Sequence, residues 1–122
     1  MPSDFVRGQA QRILEIFYST PFIECHPLTR EFASIPARSG IYAFRHQSEG
    51  ILYIGKAVNI RQRLRGGHKA LAWAFIDRLN PDDVRIVATV LTYQLWLQAL
   101  EIEALMIQTV KPCYNIRIRQ EE

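Results

Sequence analysis

Two tyrosines, a group of arginines and one glutamate are the residues of this chain whose types and spacing suit chemistry at a phosphate. Tyr42 lies in Gly40-Ile41-Tyr42 and Tyr53 in Tyr53-Ile54-Gly55. Each triplet belongs to a short apolar run, 40–44 and 51–55, and a polar stretch, 45–50, separates them. Such β-branched and aromatic runs, bounded by turn formers, read as the antiparallel strands of a hairpin. With Tyr42 opposite Tyr53, both phenols point to one face of the sheet. Two tyrosines on a hairpin are more often packing than chemistry, but the residues after the second triplet change that balance. Lys56, Arg61, Arg63, Arg65, His68 and Lys69 all fall between Glu49 and Asp77, a window without an acidic residue. A basic cluster by itself reads equally well as a solvated helix face. Directly behind a strand carrying a phenol, it reads better as a phosphate-binding element.

The glutamate is Glu103. Thr92 could cap a long helix running to about residue 110. On that helix, Trp96, Ala99, Leu100, Glu103, Met106, Ile107 and Val110 share a face, and Gln94, Gln98, Glu101 and Gln108 lie opposite. A carboxylate on an otherwise apolar face must be ion-paired, metal-bound or at the edge of a cavity, because an isolated buried charge is prohibitively costly. A structural pair with an arginine is the competing reading.

These pieces, in this order, resemble the GIY-YIG nuclease family, in which a strand ending in Tyr-Ile-Gly leads through a Lys or Thr into a short helix with an essential Arg. The resemblance covers 39–119, about two thirds of the chain, and continues through Glu103 to Lys111-Pro112-Cys113-Tyr114-Asn115. It implies metal-dependent hydrolysis of DNA phosphodiester bonds. Arg63, ten residues after Tyr53, would neutralise charge on the scissile phosphate, and Arg61 and Arg65 would position the backbone. Glu103 would ligate Mg²⁺ or Mn²⁺, ions that accept one carboxylate and several waters. Asn115 would support the site. A tyrosine would be the general base, Tyr53 in preference to Tyr42 because its strand runs into the basic helix, with Lys56 assisting Tyr53 or the phosphate. Free tyrosine has a pKa near ~10, so that role requires depression by Lys56, Arg63 and the metal. His68 departs from the pattern: the family's His or Tyr four residues after the Arg falls here on Gly67, and the His comes one later. Either Gly66-Gly67 deliver His68 to the same place, or it starts the next helix or touches a phosphate, as Lys69 could. A catalytically inactive nucleic-acid-binding module of the same fold, or an interaction domain with an incidental basic helix, are the alternatives.

The remaining sequence bounds the scaffold. At 122 residues, 48% hydrophobic and 22% charged, the chain suits one globular domain. The net charge is +3, and twelve of fifteen basic residues are Arg, which favours bidentate phosphate contacts. No apolar run approaches the roughly 20 residues needed to span a bilayer, and Asp4, Arg7, Arg12 and Glu15 speak against a secretory signal. Cys25 and Cys113 lack metal or disulfide spacing, which suits reduced thiols in a cytoplasm, with nucleoid association in a prokaryote. Ser3-Asp4 could cap a helix to about residue 18, and 22–38 reads as extended loop, giving an extension, 1–38, and a nuclease domain, 39–119. Asn59 caps a helix over 60–65; a helix over 68–79, a strand over 83–91 and a short strand over 114–119 complete the pattern. The expected fold is a small α/β sandwich, a three-stranded, mostly antiparallel sheet flanked by helices in the order (α)ββααβα. Targeting to DNA would come from the extension, a homo-oligomer partner, or a separate domain or protein.

Overall fold

The computed structural model describes residues 2–29 and 31–121. Its sheet forms from β1 (His26–Pro27), β2 (Gly40–His46), β3 (Gly50–Ala57) and β4 (Val84–Val90), in the order β1-β4-β2-β3 and antiparallel throughout. The expected three strands are therefore four. The addition comes from the stretch read as loop, where His26 pairs with Ile86 and Pro27 with Arg85. A strand this short, closed by a proline that donates no hydrogen bond, is suited only to a sheet edge, and too brief to show a period of two in sequence.

Both faces of the sheet are covered. Ile41, Ala43, Ile54 and Val87 pack on one side against α1 (Asp4–Ser19) and α5 (Ala99–Val110), through Val6, Ile13, Phe17, Ile102 and Met106. Tyr42, Phe44 and Ile86 pack on the other against Ile60 and Leu64 of α2 (Ile60–Arg65), Trp73 of α3 (Lys69–Ile76) and Tyr114 of α6 (Cys113–Glu121). Central β2 is thus apolar on both sides and reads as a continuous run rather than an alternation.

Two further expectations change. Residues 114–119 lie in α6, not in a strand; Tyr114 buries its ring near Trp73 and its hydroxyl donates to Asp77 Oδ2 at 2.7 Å. The helix expected from Thr92 to 110 is two helices, α4 (Tyr93–Trp96) and α5, because Gln98 leaves helical geometry at φ −109°, ψ 10°. Thr92 caps the first as expected, accepting from Leu95 N–H at 3.3 Å. The break resets the helical phase, so Leu100, expected inward, is 67% exposed, while Ile102 is fully buried.

Residues before β2 are tied to the sheet by arginines. Ser3 caps the start of α1 by accepting from Val6 N–H at 3.1 Å, but the last turn of that helix holds no basic residue. Arg45 of β2 supplies the cation: its Nη1 donates to the carbonyls of Phe17 at 2.6 Å and Thr20 at 2.7 Å. Arg85 of β4 does the same for Ile23 and Cys25, both at 3.1 Å. We expect Arg45→Ala to cost about 1.5–3 kcal/mol in urea unfolding, the range for hydrogen bonds made by a charged donor, whereas exposed Arg12→Ala on α1 changes stability by less than about 0.5 kcal/mol. Equal effects would mean that Arg45 is not what holds the end of α1.

Candidate active site

β3 is an edge strand, so the outward N–H and C=O groups of its backbone need partners. Two side chains from far along the chain supply them. Asn115 pairs with Ile54 in both directions: Oδ1 accepts from its N–H and Nδ2 donates to its carbonyl, each at 2.8 Å. Glu103 accepts from the backbone N–H of Lys56. The carboxylate and the carboxamide therefore arrive on the same strand edge, flanking Gly55.

The phenols come from the neighbouring positions. The hairpin register places Tyr42 opposite Gly55, and Tyr53 opposite Phe44, so the expected Tyr42–Tyr53 pairing is offset by two residues. An even offset preserves the shared face, and the rings lie 6.2 Å apart. Gly55 makes this possible. A Cβ there would sit 2.7 Å from Cζ and Oη of Tyr42 and 2.8 Å from Cε2 of Tyr53, so any side chain would push the rings from their places.

His68 reaches this pair. Its Nε2 lies 3.1 Å from Tyr42 Oη, and its ring meets Tyr53 edge-on at 4.6 Å and Phe44 at 4.8 Å. The extra residue before it is absorbed by Gly67, whose φ of +89° belongs to the left-handed region that glycine tolerates. The Gly67 carbonyl also holds Arg63, accepting from Nη1 at 2.8 Å. One short loop thus positions both the imidazole and the guanidinium.

The electrostatics of the site are mixed. Burial pushes the Tyr42 phenol above its ordinary range, the Tyr53 phenol and the Glu103 carboxylate add to this, and the Arg63 guanidinium opposes it. The expected depression is therefore not what Tyr42 experiences, because at 1% exposure desolvation outweighs the single cation. Burial also raises the Glu103 carboxyl, against the pull of the Lys56 ammonium and backbone N–H. Burial, with Arg63 nearby, lowers His68 to about 4.

The other basic residues are placed differently. Lys56 lays Nζ over Trp96, 5.4 Å from the ring centroid, and Lys69 lies over Trp73 at 5.5 Å. Arg61 donates to the carbonyls of Ile35 at 2.8 Å and Ala33 at 3.0 Å, anchoring the segment before β2. Arg65 pairs with Glu31 at 3.0 Å across an exposed surface. Two participants escaped the sequence reading. Phe44 had a signal, since it lies two residues after Tyr42 and so on the same strand face. Trp96 had a partial one, sharing the expected face of Glu103, but its contact with Lys56 had none, because the helix break sets where the ring points.

A hairpin presenting two phenols, a short helix with an outward guanidinium and a carboxylate on the hairpin's open edge define a small α/β domain of the GIY-YIG class. The chain belongs to the family described as the UvrC-like GIY-YIG domain, which matches residues 38–116. UvrABC system protein C of Bdellovibrio bacteriovorus is 32% identical over 105 residues, 85% of this chain and 16% of that protein. Its counterpart from Syntrophomonas wolfei is 31% identical over 100 residues, 78% of this chain and again 16% of the relative. The chain thus spans about 16% of the length of these curated relatives. Among solved structures, the GIY-YIG N-terminal endonuclease domain of UvrC from Thermotoga maritima, bound to magnesium as its catalytic divalent cation, aligns over 93% of this chain and 98% of that one, at 18% identity and a TM-score of 0.49.

The buried imidazole yields a pH prediction. His68 titrates near 4 in the native chain and near ~6.5 when unfolded. Between these values the unfolded chain binds a proton that the native chain does not. The associated stability is therefore fully present above pH ~6.5 and is lost as pH falls through the native value, by about 3 kcal/mol in all. NMR titration of the imidazole should give a midpoint near 4, and the stability difference between wild type and His68→Gln should shrink across that window. A midpoint near ~6.5 would show that the ring is solvated.

Proposed function

We propose that this domain hydrolyses phosphodiester bonds of DNA with the help of Mg²⁺ or Mn²⁺. The observation that carries the reading is the convergence on the Tyr42 phenol. It is hydrogen-bonded to His68 and to Tyr53, and lies within the fields of both Arg63 and Glu103. These residues come from separate elements, and no requirement of packing brings a guanidinium, a carboxylate and two phenols together.

Glu103 is the residue to hold the ion. Its carboxylate is half-buried with a raised pKa, the state of an acid that gains from a nearby cation. Among the described residues no three His, Cys, Asp or Glu side chains gather into a metal cluster; an ion on Glu103 with water completing its shell would suit hydrated Mg²⁺ better than zinc. A divalent cation bound there supplies positive charge against the leaving oxyanion. The chain itself does the rest. One phenol of the pair takes the proton of the attacking water, Arg63 neutralises the phosphoryl oxygens, Lys56 offsets negative charge beside Glu103, and Asn115 keeps the edge of β3 in register.

DNA contact would fall to Arg63, Lys69 and Arg65, the last on release from Glu31, while Arg61 would act through the segment it anchors. The named relatives belong to the UvrABC system, which supports a role in DNA repair in the cytoplasm. Targeting would come from a further domain, a second copy or a partner protein.

The test is cleavage of linear, nicked, flap and four-way DNA with Mg²⁺ or Mn²⁺. Arg63→Ala and Glu103→Ala should each slow cleavage by about 100-fold or more, and binding to DNA should weaken steeply with salt. Salt-dependent binding without cleavage under either metal would identify an inactive binding module. Variants that cut as fast as wild type would remove Arg63 and Glu103 from the site.

A further inference from the structure

We propose that the outer stripe of α1 is a docking surface for a second copy of this chain, with the two α1 helices antiparallel about a two-fold axis at Gln11. The proposal goes beyond the nuclease reading and does not depend on it.

Helical spacing sets the stripe. Asp4, Arg7, Gln11, Leu14 and Tyr18 follow one another at alternate steps of three and four residues, so they line one side of α1, with Gly8 and Glu15 beside them. All but Leu14 are exposed, and Tyr18 is 54% exposed. A groove of about 1010 Å³ runs along the stripe, walled by Ala10, Leu14 and Tyr18 of α1 and by Leu105 and Thr109 of α5. Among the described residues the Arg7 guanidinium forms no salt bridge, and Glu15 receives a 3.4 Å hydrogen bond from Gln11 Nε2. Gly8 has no explanation within the domain. It sits inside α1, where glycine costs stability relative to alanine. Its φ is not in the left-handed region, and a Cβ there would meet nothing within 4 Å. Neither a turn nor a close approach inside the chain requires it, whereas a close approach from outside would use the missing side chain.

Self-complementarity identifies the occupant. In an antiparallel pair of identical helices, residues equally far from the axis on opposite sides face each other. With the axis at Gln11, Arg7 faces the second copy's Glu15 and Glu15 faces its Arg7, which makes two ion pairs. Leu14 faces the second copy's Gly8, whose absent side chain leaves room for it. The Tyr18 hydroxyl faces Asp4, a carboxylate that accepts from it. The two Gln11 amides meet on the axis, each with a donor and an acceptor for the other. A parallel pair would instead set Arg7 against Arg7 and Glu15 against Glu15, and a slip of one turn would set Arg7 against Gln11 or Ser19. α1 packs on the sheet face away from the phenols, so the joint leaves both candidate sites open. A 16-residue helix is about 24 Å long, and a joint of that length falls at or below the roughly 1,200 Å² at which standard interfaces begin, so the dimer is weak and concentration-dependent.

The experiment is sedimentation velocity of the 122-residue chain from about 10 μM to about 1 mM, the range of weak, transient interfaces. Wild type should move from monomer toward dimer across that range. Arg7→Glu and Glu15→Arg each set like charges together twice, and each should weaken association at least about tenfold. Mixed in equal amounts, the two variants should associate about as well as wild type, because one carries only acids at these positions and the other only bases. The double variant Arg7→Glu/Glu15→Arg should recover in the same way. Arg12→Glu, the same change of charge off the stripe, should leave association unchanged, and Gly8→Trp should abolish it. Circular dichroism establishes that each variant is folded, and the concentration dependence of wild type needs no variant. Wild type that stays monomeric to about 1 mM, association indifferent to both reversals, equal weakening by Arg12→Glu, or a mixture of the reversed variants that fails to associate overturns the proposal. DNA cleavage at concentrations where wild type is monomeric should be the same for all these variants. Dimers of a protein that cuts no DNA keep the joint and remove the nuclease reading.

Discussion

The open edge of β3 is the constraint on which the site depends. A sheet of four strands ends somewhere, and here it ends on the strand that carries Tyr53 and Gly55. Its outward amides and carbonyls cannot remain bare in a partly buried position. Asn115 satisfies Ile54 in both directions and Glu103 satisfies Lys56. A carboxylate on the inner side of α5 is therefore no anomaly of packing. It has a backbone donor waiting, which lowers the cost of holding it there, while burial keeps that charge incompletely compensated. The same edge that would invite aggregation if exposed is closed by the residues that assemble the site.

Gly55 ties this edge to the phenols. Because it sits opposite Tyr42 in the register, its missing side chain is the space that the Tyr42 ring fills. Tyr42 then lies flat against the strand, sealed from water, with its hydroxyl delivered toward His68 and Tyr53. Burial of this kind has opposite consequences for the two rings. It keeps Tyr42 protonated. Tyr53 retains contact with solvent and with the open side of the site. The two phenols thus differ in burial because of where the glycine is, although their triplets look equivalent in sequence.

The legible parts of the chain are those where local chemistry decides. The Ser3, Asn59 and Thr92 caps all form as their side chains suggest, and the hairpin, the short basic helix and the strand over 84–90 are in place. The parts that escape are those where distant contacts decide. β1 exists because β4 offers it an edge. α6 is a helix because Tyr114 finds Trp73 and Asp77, which alternating Ile and Arg residues could not announce. Leu100 points outward because the helix breaks two residues earlier. The phenol offset arises the same way: pairing like with like is the simplest expectation, whereas the turn and an irregularity at Phe44 and Arg45 set the register. The shared face survives because the offset is even.

The arginines show how far composition can mislead. Their abundance suggests a phosphate surface, yet Arg45, Arg61 and Arg85 spend their guanidinium groups on main-chain carbonyls of the segments before β2. A guanidinium suits this work for the reason it suits phosphate: several planar donors satisfy two oxygens at once. The stretch between the last turn of α1 and β2, poor in regular structure, has carbonyls to satisfy, and arginines of the sheet and of α2 meet them with cations. What separates Arg63 from these is the kind of hold placed on it. Its Nη1 donates to the carbonyl of Gly67, just past the end of its own helix, and its side chain is exposed. Net charge counts all these arginines alike; only their partners distinguish the ones that hold main-chain carbonyls of distant segments from the one that bonds within four residues of itself.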